Sequence, residues 1–254
     1  MDGQIDDGWG AMIPIKGREV DATILFSDIA GFSRRTLTLS PVETLIFANR
    51  FFTWGYEEAL FQSNGIVDKY IGDEIMIVFS QEFGSEDPFE EAVRVARWMA
   101  ERDLLNFQPH TGIASGRVIV GYVGSPRKYN CSVFGSPVTL AARCAGVKPE
   151  TDFAFSSIVF PSVEWGDRDF SMVFPPRRCT KPDGSTDEQP HSGELLLARK
   201  VQMKNLPDTE VREIVRRSAY LSDPLNEIVK EDLKVLRESR RYWPEGMVEK
   251  IADK

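Results

Sequence analysis

The fold is decided by the stretch ATILFSDIAGFS, residues 22–33. Its first half is an apolar run with β-branched and aromatic residues, which is typical of a buried strand. The run ends on a single acid, Asp28, and a turn-forming glycine follows at Gly31. We therefore predict a strand over about residues 19–27 that carries one carboxylate to the point where the sheet opens to solvent.

A second stretch, IVDKYIGDEIMIVF at residues 66–79, repeats this arrangement as a hairpin. Two apolar arms flank Gly72, Asp73 and Glu74, which predicts two strands joined by a tight turn. If the hairpin pairs with the first strand, Asp28 and Asp73 converge. Two hard oxygen ligands beside backbone amides that a glycine leaves accessible favour Mg²⁺ or Mn²⁺ carrying a triphosphate. Each acid taken alone could equally cap a turn or a helix.

The composition argues against several classes of protein. With 254 residues and 42% hydrophobic content, the chain can bury one substantial core, so we expect one domain. A net charge of −8 and a pI near 5.0 argue against a nucleic-acid-binding protein, which would carry a basic face. Three cysteines without paired spacing and two distant histidines argue against disulfides and a zinc site. Because no apolar run reaches the roughly 18 residues of a membrane span, we expect a cytoplasmic protein.

Three predicted helix starts share one signature, an N-cap residue followed by proline at the first helical position. They lie at Ser40-Pro41, Asp87-Pro88 and Ser136-Pro137. The first helix should run to about Gln62, and the third should end near Gly146. Apolar positions of the first helix, Val42 and Leu45 among them, are expected to face the sheet.

Between the helices, further strands are predicted at about residues 110–115, 118–123, 130–134 and 194–205, and a surface loop at 180–193. Strands that alternate with helices and include two hairpins indicate an α+β fold, in which helices pack on a mixed sheet. We divide the chain into a flexible N-terminal arm (1–17), one folded domain (18–222) and a charged helical tail (223–254).

The stretches at residues 22–33 and 66–79, together with GSPVTLAAR at 135–143, resemble the class III nucleotidyl cyclases in order and spacing. The resemblance covers about residues 18–215. It implies a ferredoxin-like mixed sheet with packed helices, so that residues 18–222 would be a nucleotidyl cyclase catalytic domain. Members of this family build each active site from two subunits. Because this chain carries both sets of residues, the resemblance implies a homodimer with two shared active sites, each using two ions of Mg²⁺ or Mn²⁺.

The resemblance also implies roles for the residues around the first strand. The carboxylates of Asp28 and Asp73 and the backbone carbonyl of Ile29 would be the metal ligands. The backbone amides of the following turn would bind the phosphates of the substrate. That turn consists of Gly31, Phe32 and Ser33.

Two cations would complete the phosphate site. Arg143 matches an arginine that stabilises charge on the reacting phosphate, although a lone arginine on a helix is commonly a surface residue. Lys204 matches a lysine that holds the terminal phosphates. The family usually has glycine after this lysine, whereas this chain has Asn205.

Four residues bear on the nucleobase and the ribose. Ser136 stands where the family has a base-reading acid, Thr139 stands where it has a ribose-orienting asparagine, and the base-contacting Lys69 is retained. Ser136 could equally be the N-cap of the third helix. Arg50 would face the same region from the long helix, although a solvent-facing arginine would look the same in sequence. Lysine and arginine donate hydrogen bonds and never accept them, so such a pocket suits the carbonyls of uracil better than the amine of cytosine or adenine.

The length and the altered base pocket most resemble the pyrimidine cyclases of bacterial Pycsar anti-phage defence. This implies conversion of UTP to 3′,5′-cyclic UMP and pyrophosphate, with a separate cyclic-nucleotide-binding effector that reads the product. A cytidylate, adenylate or guanylate cyclase is the alternative within the class. A degenerate domain that binds nucleotide as a regulator is the alternative outside it, but the retained Asp28 and Asp73 speak against such a domain. A GGDEF-type cyclase would need that motif at the hairpin, and residues 71–74 do not supply it.

Overall fold

The computed structural model describes residues 17–217 with short gaps. The gaps are residues 38, 61, 102, 104–106, 126–127, 150–154, 170–176, 181–185 and 190–193. The predicted helical tail, and all but the last residue of the predicted N-terminal arm, lie outside the described residues, so the division of the chain stays a prediction. Within the described part, none of the helices is long and apolar enough to cross a membrane.

Strands and helices alternate along the described residues. The strands are β1 (Arg18–Ile29), β2 (Ile66–Ile71), β3 (Glu74–Phe79), β4 (Pro109–Ser125), β5 (Lys128–Phe134), β6 (Phe155–Pro161), β7 (Arg177–Thr180), β8 (Thr186–Gln189), β9 (Glu194–Val201) and β10 (Thr209–Arg217). The helices are α1 (Phe32–Thr36), α2 (Pro41–Leu60), α3 (Pro88–Glu101), α4 (Ser136–Ala145) and α5 (Ser162–Trp165).

Eight strands form one sheet in the order β2-β3-β1-β4-β6-β10-β9, with β5 paired to β4. The central strand β1 pairs antiparallel with β3 on one side and, over its whole length, with β4 on the other. The pairing of β4 with β6 is parallel, so the sheet is mixed. Strands β7 and β8 form a separate hairpin. This architecture confirms the predicted α+β fold.

Alternate residues of β1 serve two cores on opposite faces of the sheet. Leu25 joins a cluster with residues of α2 and α3. Phe26 joins a second cluster with Ala141 and Ala145 of α4. Helices α2 and α3 therefore cover one face, and α4 covers the other. Asp28 continues the row of Phe26 along the strand and lies on the α4 face.

Two of the predicted helix caps are present. Ser40 and Glu43 form a reciprocal capping box, because the Glu43 N–H donates to Ser40 Oγ at 3.3 Å and the Ser40 N–H donates to Glu43 Oε2 at 2.9 Å. At the start of α3, Asp87 Oδ1 accepts from the backbone N–H groups of Phe89 and Glu90, both at 3.1 Å. These caps fix the first residues of α2 and α3, the two helices that cover one face of the sheet.

The third predicted cap is wrong, and so is a predicted strand break. Helix α4 begins at Ser136 itself, and its N-cap is Gly135, which makes no side-chain cap hydrogen bond. Strand β4 is continuous where two strands were predicted, because Gly116 stays paired with Ala22 of β1. The predicted loop at 180–193 contains strand β8, since residues 177–189 include the β7–β8 hairpin.

The predicted buried face of α2 is corrected in part, because Ile46 is buried and Phe52 packs against the core as predicted. Val42 and Leu45 are 58% and 50% exposed, whereas Phe47 and Phe51 are buried. These two phenylalanines are one helical turn apart and pack into the core with α3, so they decide the rotation of the helix.

The close approach of α4 to β4 depends on Gly112. A Cβ atom at this position would lie 2.0 Å from the Ala141 carbonyl oxygen and 2.2 Å from the Ala145 nitrogen. Only a residue without a side chain lets the helix backbone lie directly on the strand. Gly112 therefore sets the position of the helix that carries three predicted site residues.

We predict that Gly112→Ala lowers the free energy of unfolding by about 3 kcal/mol, because the new methyl group must push α4 off the sheet. Urea unfolding measures the change. Gly146→Ala is the matched control, because Gly146 has φ −77° and an added Cβ would find its nearest neighbour at 3.7 Å. Equal unfolding midpoints for the two variants would contradict the close packing of α4.

Candidate active site

Asp28 and Asp73 lie together at one end of the sheet. Asp28 is next to the last residue of β1, and Asp73 lies in the turn between β2 and β3. The antiparallel pairing of Ser27 with Ile75 brings that turn beside the end of β1. The Ile29 backbone is close enough to the Asp73 carboxylate to oppose, by hydrogen bonding, the rise in its pKa that burial causes.

Negative charge is unfavourable at this pair of acids. Burial, with added repulsion from Asp73 and Glu74, raises the pKa of Asp28 to about 7, although a hydrogen bond from the His110 backbone opposes this. Burial also raises the pKa of Asp73 and the pKa of Glu74. The fold thus holds like charges together in a partly buried place, an arrangement that a bound cation would relieve.

The oxygen best placed for a cation is Asp28 Oδ1. It is buried and has no hydrogen-bond partner among the described residues. The Nδ1 atom of His110 is 4.0 Å away, beyond hydrogen-bonding distance. A buried carboxylate oxygen without a donor is costly, and a hard cation would satisfy it. The two carboxylates therefore fit Mg²⁺ or Mn²⁺.

The described residues do not supply a complete metal site. No group of three or more His, Cys, Asp or Glu side chains among them is arranged to hold a metal ion. Glu74 adds a third acid whose charge acts on Asp28, and the sequence analysis gave it no role. Its position directly after Asp73 in the hairpin is the sequence feature that could have identified Glu74 as part of the site. Glu74 makes the site more negative than Asp28 and Asp73 alone would.

The chain after β1 turns sharply into α1. Gly31 has φ +65°, a left-handed conformation that glycine adopts without strain. Phe32 begins the helix, and its ring stacks on Phe47 with the centroids 6.0 Å apart. Its side chain is therefore committed to the core, and only its backbone amide can face a ligand. Ser33 is exposed beside it.

Lys69 makes specific contacts on β2. Its Nζ atom donates to Ser132 Oγ on β5 and lies 2.9 Å from Asp68 Oδ2. The Asp68 side chain is fully buried, whereas the Lys69 side chain is 35% exposed. The ammonium group is thus held by a buried carboxylate and a buried hydroxyl, and part of the Lys69 side chain reaches solvent.

The hydroxyl in this region differs from the one that the sequence predicts. The family resemblance implies Ser136 at the base-reading position, but the hydroxyl that Lys69 contacts belongs to Ser132. Ser136 lies exposed at the start of α4. Arg50 is half-buried on α2, which covers the opposite face of the sheet from α4. Its predicted meeting with Lys69 at one nucleobase stays a prediction.

Helix α4 presents a polar stripe to solvent. Ser136, Thr139 and Arg143 are spaced three and four residues apart, so they lie on one side of the helix, and all three are exposed. The opposite side of α4 is buried through Ala141 and Ala145.

Arg143 and Lys204 line the same open cleft, which has a volume of about 500 Å³. The cleft lies between the end of α4 and the chain that follows β9. Asn205 has φ +63°, the left-handed conformation that glycine would adopt, and asparagine is among the few other residues that tolerate it. Asn205 therefore holds a backbone conformation that glycine would also adopt without strain.

The cleft carries further positive charge. Lys148, Arg199 and Lys200 also line it. Arg199 is committed to structure, because it pairs with the fully buried carboxylate of Glu213 at 2.7 Å and donates to the Lys148 carbonyl. It ties the chain after α4 to β9 and β10. The cleft suits an anion with several negative charges.

The described residues match a known domain. Residues 16–159 match the adenylate and guanylate cyclase catalytic domain. A protein of Mycobacterium tuberculosis is 32% identical over 130 residues, which is 50% of this chain and 23% of that protein. A second protein of the same organism is 31% identical over 131 residues, 50% of this chain and 24% of its own length. The chain thus spans about a quarter of the length of these curated relatives.

Two solved structures that share this fold are cyclases. The adenylyl cyclase CyaB from P. aeruginosa superposes with a TM-score of 0.58 at 18% identity, covering 81% of this chain and 99% of that one. The guanylate cyclase domain of RhGC from Catenaria anguillulae, in complex with GTP, gives a TM-score of 0.59 at 15% identity, covering 79% and 100%. The matched segment is more than half of the chain, and the chain belongs to the adenylate and guanylate cyclase catalytic domain family. The predicted class III cyclase fold is confirmed.

We predict that Asp28→Asn stabilises the metal-free protein much more at pH 8 than at pH 4. The pKa of Asp28 is about 7 in the folded protein against an ordinary value of 3.8, so the folded state prefers the protonated acid. Its contribution to stability is full below pH 3.8 and is lost as the pH rises to about 7. Thermal unfolding in a chelator at the two pH values measures this difference.

Asp21→Asn is the control for this experiment, because the Asp21 side chain is 79% exposed. It should not reproduce the stabilisation at pH 8, because Asp21 lies away from Asp73 and Glu74. A stability difference between Asp28→Asn and wild type that is the same at both pH values would contradict the buried, repelled carboxylate.

Proposed function

We propose that the protein is a pyrimidine nucleotide cyclase that converts UTP to 3′,5′-cyclic UMP and pyrophosphate. The observation that carries the proposal is the pair of Asp28 and Asp73, with its unpartnered buried oxygen, in a domain of the cyclase family. In this reaction the ribose 3′-oxygen loses its proton and attacks the α-phosphorus. The bond from the α-phosphorus to the oxygen bridging to the β-phosphate breaks, and pyrophosphate leaves.

Each group of site residues would have a separate role in this reaction. Asp28 and Asp73, with the Ile29 carbonyl, would hold two ions of Mg²⁺ or Mn²⁺, which neutralise the triphosphate and favour ionisation of the 3′-hydroxyl. The amides of residues 31–33 would bind phosphate oxygens beside them. In the basic cleft, Arg143 would stabilise charge on the α-phosphate, and Lys204 would hold the leaving pyrophosphate.

A homodimer would bring these groups together. The acids, Lys69 and the exposed stripe of α4 all lie on one face of the sheet, so a second copy packed on that face would meet all of them. The β4–β5 hairpin adds exposed apolar side chains suited to such a contact, among them Tyr129, which is 63% exposed and contacts Tyr122 edge to face. Thr139 from one copy would then orient the ribose of a nucleotide held by the acids of the other.

The contacts of Lys69 support a base that offers a carbonyl. The Ser132 hydroxyl directs its proton to Asp68 Oδ2 at 3.3 Å and accepts from Lys69, and the Asp68 carboxylate is fully buried. The accessible group is therefore the Lys69 ammonium, which donates only. Uracil presents two carbonyl acceptors, whereas adenine has none.

Two other functions compete with this one. An adenylate or guanylate cyclase is favoured by the family and by the solved structures, which are adenylyl and guanylyl cyclases. The second is a regulatory domain that binds nucleotide without activity. Such a domain would not need an acid pair that destabilises the fold, whereas here Asp28 has a raised pKa and an oxygen without a hydrogen-bond partner among the described residues. The product of a uridylate cyclase would serve as a second messenger read by a separate effector, which fits the anti-phage role that the sequence resemblance implies.

We predict that the purified protein with Mn²⁺ forms cyclic UMP from UTP about tenfold to a hundredfold faster than it cyclises CTP, ATP or GTP. This is the discrimination expected when an unpaired polar group is left in a buried site. Mass spectrometry of the products from each triphosphate measures it. Asp28→Ala and Asp73→Ala should abolish every product while unfolding cooperatively. Cyclic AMP or cyclic GMP as the fastest product would reject the pyrimidine assignment, and no product at all would reject the cyclase.

We also predict that inactive variants restore each other. Asp73→Ala and Arg143→Ala damage opposite halves of a shared site, so each heterodimer keeps one intact site. Equal mixing after subunit exchange should recover about one quarter of wild-type activity, because half of the dimers are mixed and each of these has one of two sites working. Asp28→Ala mixed with Asp73→Ala is the control and should stay inactive, since both acids belong to the same half. Equal recovery in both mixtures, or none in either, would contradict the shared site.

A further inference from the structure

Strand β2 contains an irregularity directly before Lys69. Val67 pairs with Ile77 of β3, and Lys69 pairs with the next residue, Met76, so Asp68 is an extra residue in the ladder. Ile77 belongs to the core on the α2 and α3 face, whereas Met76 belongs to the core on the α4 face. A regular strand would place Lys69 on the same face as Val67. The bulge therefore moves Lys69 to the α4 face, where the predicted nucleotide site lies.

The extra residue also binds the side chain that it redirects. Asp68 Oδ2 lies 2.9 Å from Lys69 Nζ and accepts from Ser132 Oγ at 3.3 Å, while Lys69 donates to the same Ser132 oxygen. Three side chains from two strands thus form a closed triangle. The Asp68 side chain is fully buried, and Ser132 is 2% exposed, so Lys69 is the member that reaches solvent.

These contacts limit the number of hydrogen bonds that Lys69 can donate to a ligand. An ammonium group has three N–H donors; Lys69 donates one to Ser132 Oγ, and its ion pair with Asp68 draws a second toward the buried carboxylate. One donor remains for a ligand, and its direction is set by the other two contacts. A lysine without these contacts could turn its ammonium toward many positions, because its side chain has four rotatable bonds.

We propose that Asp68 is a positioning residue for base recognition: it holds Lys69 so that a single N–H points at the nucleobase, and thereby narrows the set of bases that the site accepts. The inference rests on the proposed function, because it assigns Lys69 to the nucleobase of a triphosphate. Asp68 itself is buried and does not touch the substrate. Its effect passes through Lys69, which distinguishes it from an acid that merely stabilises the fold.

The test is Asp68→Asn, which keeps the shape of the side chain and removes its charge. KM for the preferred triphosphate should rise about tenfold, which corresponds to the loss of one well-placed charged hydrogen bond. The ratio of kcat/KM between the best and second-best triphosphates should fall, while kcat for the best one stays within about twofold. In a Lys69→Ala background, Asp68→Asn should change that ratio no further, because the residue through which it acts is gone.

A second measurement does not depend on turnover. Amine-directed labelling of the folded protein, read by mass spectrometry, should modify Lys69 faster in Asp68→Asn than in wild type, because the ammonium loses a buried partner. Asp21→Asn is the matched control, since it removes an exposed acid at the other end of β1, and it should alter neither the labelling nor the base ratio.

The outcomes separate the two ideas. A wild-type protein that makes no cyclic nucleotide rejects the proposed function. The labelling experiment needs no activity, so unchanged labelling of Lys69 in Asp68→Asn rejects the positioning contact independently. An active wild type whose Asp68→Asn variant keeps the same base ratio rejects the inference and leaves the cyclase standing. A further loss of discrimination by Asp68→Asn in the Lys69→Ala background would also overturn it, because Asp68 would then act by another route.

Discussion

The contact on which this structure depends is the approach of the α4 backbone to β4 at Gly112. At this point the helix backbone lies directly against the backbone of β4, with no side chain between them. Everything that α4 exposes takes its position from this contact, including Thr139 and Arg143. The same contact also completes the core under Phe26, and so fixes the end of β1 where Asp28 lies. One small residue thus sets the geometry of both halves of the candidate site.

The acids at this site lower the stability of the fold. The fold keeps Asp28 partly buried beside two other carboxylates, and this burial, with added repulsion from Asp73 and Glu74, raises its pKa to about 7. A stabilising design would separate these charges or give Asp28 Oδ1 a donor. Local instability of this kind is common where a protein must bind charge, because the binding partner supplies the missing interaction. The basic cleft at Arg143 and Lys204 is the complementary half, positive where the first half is negative.

Sequence reasoning succeeded where local patterns decide the structure. The apolar run before Asp28, the hairpin around Asp73 and the capping box of α2 depend on residues close in the chain, and all are present. It failed where tertiary pairing decides. The partner of Lys69 is Ser132, 63 positions away, and it follows from a bulge that no short pattern reveals. The departure at Asn205 looked like a loss in sequence, but the backbone conformation shows that asparagine can replace glycine there.

The bulge in β2 has a consequence for the solubility of the molecule. β2 is the edge strand of the large sheet, and the outer side of an edge strand carries backbone groups that could pair with a strand of another molecule. An extra residue interrupts the regular ladder there, and a charged lysine follows it. A flat strand of another chain cannot continue such a ladder in register. The bulge residue Asp68 and the charged Lys69 therefore protect the sheet from strand addition at that edge. This protection does not depend on a bound nucleotide.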